Sequence, residues 1–330
     1  MARLALSLAC GDYDRTRALE DGSVRPDGIE LTYLRLPVEE TFFRMLRHRE
    51  FDVAEMSMSS YVASLSDEAQ GGLVALPVYT SRMFRHSSVY VNTDLVSKPQ
   101  DLVGAVVGTP EYQLTACVWV RGLLAEDYGV PVDSVRYRTG GQETAGRVEK
   151  QQLDLAGRVE VEPIPPDRTL ADMLVRGEVA ALHTPRVPSP FVANARNVAR
   201  LWPDTEAEER TWFARTCIFP IMHVVVIRRE VYEAHPWVAQ SLTKAFTLAR
   251  DDAYARLYDS SAMRFMDPWL LQHLEGARAL LGTDFWSYGV DANRHVLDAF
   301  LRHHHTQGLS PRQFTAEEIF APESLEAFKI

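Results

Sequence analysis

Eight consecutive residues, Ser81-Arg82-Met83-Phe84-Arg85-His86-Ser87-Ser88, bring together two guanidinium groups, an imidazole and three hydroxyls. Arginine presents a planar fork of N–H donors that matches a carboxylate, so the stretch reads as a site for a small anion. A solvated loop whose charges pair with nearby acids is the alternative. Arg44, Arg47, His48 and Arg49 form a second basic group; Arg44 and His48 are four apart and share a helix face, and a solvated face is the preferred reading there. Three polar groups follow predicted strands, where open α/β sheets place their ligand-binding residues. They are Asp12, Tyr13 and Arg15; Glu55, Ser57 and Ser59; and Thr109, Glu111, Gln113 and Thr115. Each also fits an ordinary cap or turn, and the serines suit either a helix N-terminus or a bound anion.

His223 stands in the apolar run Cys217–Ile227, where burial would press its pKa down unless a carboxylate offsets it. A histidine so placed is more often a core residue than a catalyst, but Pro220 marks an irregular strand from which the imidazole could reach a cleft. His183 ends another predicted strand and is a weaker candidate. Consecutive helical residues point in different directions, so His303, His304 and His305 read as a surface helix end and not as a metal site. HExxH, a glycine-rich phosphate loop and GxSxG are all missing, which leaves zinc hydrolase, nucleotide enzyme and serine hydrolase readings without a carrier.

The elements that must position these groups alternate between short apolar runs and amphipathic segments, the pattern of an α/β fold with helices over a largely parallel sheet. Strands are predicted at 3–9, 28–34, 51–56, 73–78, 88–92, 103–107, 134–138, 179–183 and 217–227. Helices are predicted at 14–21, from 37, after Ser57, through Trp119 to about Tyr128 after a turn at 108–115, and at 169–176, with 203–210 a polar stretch and mainly helix beyond Glu230, with candidate starts at Pro236 and Pro268. The 330 residues exceed one ordinary core, yet no linker or repeat divides them. A chain that leaves one lobe, builds another and returns explains this: 1–92 plus 224–330 as the first lobe, 93–223 as the second, with the ligand cleft between them. A net charge of −10 argues against nucleic acid, whose affinity comes from clustered Lys and Arg. No run approaches the roughly 18 apolar residues of a membrane span, and the start lacks a secretory apolar core. The three cysteines are dispersed without CxxC spacing, so neither a disulfide framework nor a zinc site is implied. Cytoplasm is the expected compartment. The aromatic residues Trp269, Phe285, Trp286 and Phe300 suit core packing, with a subunit interface in a homo-oligomer as the alternative.

The segments ACGDYDRTRAL (9–19), FFRMLRHREFDVAEMSMSSY (42–61), SRMFRHSSVYVN (81–92), GTPEYQLTACVWVRG (108–122), TCIFPIMHVVVIRR (216–229) and HPWVAQSL (235–242) resemble the 4,5-dihydroxyphthalate decarboxylase family. The resemblance runs from residue 9 to the 307–309 region. It implies a type II periplasmic-binding-protein-like fold, two α/β lobes joined by two crossings. It also implies an aromatic carboxy-lyase whose partner is a small aromatic carboxylate, most simply 4,5-dihydroxyphthalate going to protocatechuate and CO₂. A non-catalytic solute-binding protein for a small carboxylate is the alternative on the same fold, and a lyase for another hydroxylated acid is a third.

In such a substrate each ring hydroxyl lies para to one carboxylate. Deprotonating it pushes electron density onto the carbon that bears the leaving group, so the ring is its own electron sink and no organic cofactor is expected. The site then needs a clamp for the retained carboxylate, a base and an acid. The resemblance points to Arg82 and Arg85 as the clamp, with Arg47 or Arg15 assisting and Asp12 nearby. His86 and His223 are the acid/base candidates, with Glu111 as an alternative donor, because imidazole titrates near neutrality. Ser57, Ser59, Thr109 and Thr115 would hold the catechol hydroxyls. A catechol chelates metals, so a divalent ion stays open although no dedicated ligand set is visible.

Overall fold

The computed structural model describes residues 3–66, 72–147, 155 and 157–325. The chain forms two compact units, Met1–Arg82 with Ile221–Leu297 and Phe314–Ile330, and Met83–Pro220 with Asp298–Gln313. The expected boundaries at 92/93 and 223/224 differ from this division, and the return of Asp298–Gln313 to the second unit had no counterpart in the expectation. Strand pairing explains the differences. Residues 89–92 pair only within the second sheet, whereas 221–223 open a strand of the first.

The strands are β1 (Leu4–Cys10), β2 (Ile29–Arg35), β3 (Val53–Ser57), β4 (Leu73–Arg82), β5 (Val89–Asn92), β6 (Val106–Thr109), β7 (Arg136–Thr139), β8 (Val161–Pro163), β9 (Ala181–His183), β10 (Val198–Arg200) and β11 (Ile221–Arg228). In the first unit the order is β2-β1-β3-β11-β4. β1 is parallel to β2 and β3, whereas β11 is antiparallel to β3 and β4, so this sheet is mixed and not largely parallel. Leu6, Leu8, Val53, Val225 and Ile227 pack with Val238, Leu242 and Phe246 of the helix Trp237–Leu257 in one core. β3, at the centre, is buried at all five positions, so both of its faces are covered.

The second unit has the order β10-β5-β9-β6-β7-β8, again mixed. Its core joins Tyr90, Leu182 and Val198 to Leu170, Met173 and Leu174 of the helix Leu170–Val175. The polar stretch expected at 203–210 is instead the start of a helix, Thr205–Thr216, capped by Asp204, whose carboxylate accepts from Ala207 N at 3.0 Å. The histidine run also departs from expectation. His303 and His304 are buried on the helix Arg294–Thr306, and the His303 ring packs against Trp119 and over Gly122, where a Cβ would lie 2.5 Å from it. Arg121, buried, donates to Gln307 Oε1 at 2.7 Å and to Tyr112 O at 2.6 Å, which fastens the 298–313 segment to this unit. Among the described residues no helix is long and apolar enough to cross a membrane.

Candidate active site

A carboxylate inside an apolar strand is costly unless donors surround it, and Glu55, at the middle of β3 with no solvent exposure, has them. Oε1 accepts from Tyr13 OH at 2.8 Å and Thr80 Oγ1 at 2.9 Å, and lies 2.7 Å from His223 Nδ1. Oε2 accepts from Gly11 N at 3.0 Å, with Cys10 Sγ at 3.6 Å. Sheet register produces the meeting. On the antiparallel ladder Val225 faces Glu55 and His223 faces Ser57, and residues two apart share a face, so His223 and Glu55 are diagonal neighbours. The β11–β4 register shifts on both sides of His223, where Thr80 reaches the carboxylate. Gly11 and Tyr13 come from the turn that follows β1, the end of a parallel strand where α/β sheets present functional groups.

Burial alone would raise the Glu55 pKa, but the His223 contact, with Tyr13 and Gly11 N, outweighs it and holds the carboxyl below the usual range. The same carboxylate works the other way on its neighbours. Burial, then the Glu55 charge, pushes the Tyr13 phenol and the Cys10 thiol up, so both stay protonated donors. The result is an ionised carboxylate that accepts the Nδ1 proton of His223, whose ring also meets Phe42 edge-on at 4.9 Å. His223 keeps 18% of its side chain exposed, and with Nδ1 engaged by Glu55 its Nε2 is the nitrogen left for proton transfer.

Gly11 is required by this packing, because a Cβ there would stand 2.8 Å from Tyr13 Cε2. Gly11→Ala is therefore expected to displace the phenol from Glu55 and lower kcat by between about tenfold and a hundredfold. Tyr13→Phe should show the same kind of loss in steady-state kinetics, and unchanged kcat in both would sever Tyr13 from the site.

Of the residues singled out in the sequence, the first unit brings Arg15 and His223 onto one network. Arg15 Nε donates to Thr80 O at 2.6 Å and Nη1 to Asp14 Oδ1 at 3.1 Å, while its guanidinium carbon lies 4.0 Å over the Tyr13 ring and 4.3 Å over that of Trp286. Ser57 caps the helix Met58–Ser64, accepting from Ser60 N at 3.4 Å, and Ser59 is buried inside that helix. Asp12 and Arg47 stand apart. Asp12 is exposed and pairs with Arg17 and Arg35, both at 3.2 Å, and Arg47 is exposed on the helix Val38–His48. Arg82 is buried, its pKa lowered to about 10 by burial, and it donates to Ser287 O at 2.7 Å and to Asn293 Oδ1.

The second unit holds the rest. His86 is fully buried among Trp202, Trp212 and Tyr128, neither ring nitrogen has a hydrogen-bond partner among the described residues, and burial lowers its pKa to about 4, the state of a neutral packing histidine. Arg85 is buried beside Ser88, with its pKa lowered to about 10 by burial. Glu111 is buried and paired with Arg147 at 2.5 Å, and Gln113 donates to it at 3.2 Å. Thr109 donates to Glu111 O at 3.1 Å and to Cys117 Sγ at 3.2 Å, and Thr115 opens the helix Thr115–Tyr128. Among the described residues no group of three or more His, Cys, Asp or Glu side chains is arranged to hold a metal.

The feature sequence reasoning missed is Glu55 as the partner of His223, with Thr80 beside it. The signal was present: an acid in the otherwise apolar stretch Val53–Met56 needs a buried partner, and His223 is an imidazole in an equally apolar strand. What the sequence lacked was the register that joins them.

Comparison with curated proteins finds 4,5-dihydroxyphthalate decarboxylase of Comamonas testosteroni, 42% identical over 331 residues and covering 100% of each chain. The chain belongs to the 4,5-dihydroxyphthalate decarboxylase family. The enzyme of that name from Pseudomonas putida is 41% identical over 214 residues, covering 64% of this chain and 83% of the relative. Comparison with protein-family models finds no match. Among solved structures, a putative periplasmic sulfonate-binding protein, SsuA of Methylobacillus flagellatus, superposes with a TM-score of 0.55 at 13% identity, covering 98% of this chain and 93% of that one. A Candida albicans protein described as having the generic periplasmic binding protein fold gives 0.50 at 12% identity over 93% of this chain and 91% of that one. These establish the periplasmic-binding-protein-like fold, and the decarboxylase family thus sits on a scaffold shared with binding proteins.

Proposed function

We propose that the chain decarboxylates 4,5-dihydroxyphthalate to protocatechuate and CO₂, with the Glu55–His223 pair as its proton-transfer group. The observation that carries this reading is the 2.7 Å contact between His223 Nδ1 and a buried, ionised carboxylate. With the Nδ1 N–H donating its hydrogen bond to the Glu55 carboxylate, Nε2 holds a lone pair and acts as the base for the ring hydroxyl para to the leaving carboxylate. Glu55 balances the imidazolium that forms. The electron pair released from the O–H bond moves through the ring to the carbon bearing the carboxylate, and that carbon takes a solvent-derived proton. The C–CO₂ bond then breaks, its electron pair returns to the ring, and the oxygen regains its proton. One proton is consumed per CO₂ released. The retained carboxylate pairs with Arg15, whose guanidinium is already oriented by Thr80 O, Asp14 and two aromatic rings.

Purified protein incubated with 4,5-dihydroxyphthalate, with and without chelator, is expected to release CO₂ and protocatechuate in equal amounts. 5-Hydroxyisophthalate, whose hydroxyl is meta to both carboxylates, should not react, because its phenolate cannot load the carbon that must be protonated. Tight binding of the substrate without turnover would overturn the reading in favour of a solute-binding protein.

A further inference from the structure

The role of Arg15 rests on its being held in place, and the segment that completes its surroundings comes from far along the chain. Trp286 lies between the helices Leu270–Leu281 and Arg294–Thr306. Its ring is 4.3 Å from the Arg15 guanidinium carbon, and the Tyr13 ring is 4.0 Å from the same atom. Little of this segment is left to chance. Trp286 Nε1 donates to Tyr79 O at 2.8 Å and Trp286 N to Tyr254 OH at 2.7 Å, while Arg250 Nη1 reaches Trp286 O at 3.2 Å. Next along the chain, Arg82 donates to Ser287 O, and Asn293 Nδ2 donates to Ser287 O at 3.2 Å and Gly289 O at 2.8 Å. Gly289 N in turn donates to Pro77 O at 2.8 Å, and Tyr79 OH to Gly289 O at 3.2 Å. The first unit therefore spends a buried arginine, Arg82, and a buried asparagine, Asn293, on fastening one short connection.

We infer that Trp286 is a positioning residue for anion recognition: strapped down by Arg82 and Asn293, it fixes the Arg15 guanidinium so that it meets the substrate's retained carboxylate without first losing side-chain freedom. An arginine held by ring faces and a backbone carbonyl has already given up the rotamer entropy that a free one would lose on binding, and tryptophan is the strongest of the aromatic partners for a cation. This gives Arg82 a part in recognition through the strap and not as the clamp the resemblance implied.

The inference rests on the proposed role of Arg15, and the test separates the two. Binding of phthalate, a dicarboxylate that lacks the hydroxyls and cannot turn over by this route, is measured by calorimetry for the native chain, Arg15→Ala, Trp286→Ala, Trp286→Phe and the Arg15→Ala/Trp286→Ala pair. Trp286→Ala is expected to weaken binding about tenfold, Trp286→Phe to recover most of it, and the double variant to bind no more weakly than Arg15→Ala alone. In turnover, Trp286→Ala should raise KM by the same factor with kcat within about twofold, a split that general loosening of the fold would not give. Native affinity in Trp286→Ala, or fully additive losses in the pair, overturns the inference while leaving Arg15 as the clamp. Native affinity in Arg15→Ala overturns the reading beneath it.

Discussion

His223→Gln is expected to lower kcat by about a thousandfold, within the range that a positioned acid/base group supplies, while phthalate binds with nearly native affinity. Glutamine approximates the reach of the imidazole and keeps a polar group in the strand, so the loss isolates proton transfer from packing. Glu55→Gln sharpens the point because its consequence follows from donor counting. Oε1 faces the donors of Tyr13, Thr80 and His223, and Oε2 faces Gly11 N and Cys10 Sγ. An amide must turn its NH₂ toward one of these sets, so either orientation sets donor against donor in a buried place. Activity should therefore fall by about tenfold to a hundredfold and the folded state should also be weakened. Glu55→Gln with native kcat and native thermal stability would show that the carboxylate is neither the partner of His223 nor a structural charge.

Acid should open the second unit before the first. Burial lowers the pKa of His86 to about 4, of His183 to about 3 and of His303 to about 4, all in the second unit. A histidine whose folded pKa lies below its unfolded value binds fewer protons when folded. Stability is therefore at its full value above about pH 6.5 and falls as pH drops toward the folded pKa. At pH 5 each of the three costs about 2 kcal/mol by this linkage, together of the order of a domain's whole stability. Glu55, with its pKa depressed, contributes stability that is present above the ordinary glutamate range and lost only as pH falls through its folded value, so the first unit feels that loss at lower pH. Hydrogen exchange followed by mass spectrometry at pH 7 and pH 5, corrected for intrinsic rates, should show peptides of 83–147 and 157–220 losing protection while 3–66 and 221–257 keep theirs. His86→Phe, which suits the surrounding Trp202, Trp212 and Tyr128 rings, should move the transition to lower pH. Parallel loss in both units would contradict the assignment.

How far the residues themselves revealed this can be traced case by case. Strands with clear apolar runs, β1, β3, β4 and β11, were legible, because strands covered on both faces read as nearly continuous apolar stretches, and so was the mainly helical region that holds Trp237–Leu257. The helix Thr205–Thr216 was not, since it buries only Trp212 and carries no apolar period; its readable signal was Asp204 as a cap with Glu206 and Glu208 behind it. β8 and β10, three residues each, are too short to alternate visibly. In the site, His223 and Arg15 stood out by residue type and position. The pairing with Glu55 did not, because it depends on a two-residue offset across an antiparallel ladder, a property of the fold and not of either segment. Arg82 was conspicuous in an arginine-rich run, yet at the C-terminal end of β4 it donates to Ser287 and Asn293, more than 200 positions away in sequence. Composition could identify a guanidinium but not what it would hold.

The most direct test of the account is a single-turnover reaction with 4,5-dihydroxyphthalate in deuterated water, run side by side on the native chain and His223→Gln. The native chain should release CO₂ and yield protocatechuate with one deuterium at the ring carbon that lost the carboxylate, while His223→Gln binds the substrate and leaves it intact over the same interval. CO₂ release by His223→Gln at the native rate would contradict it.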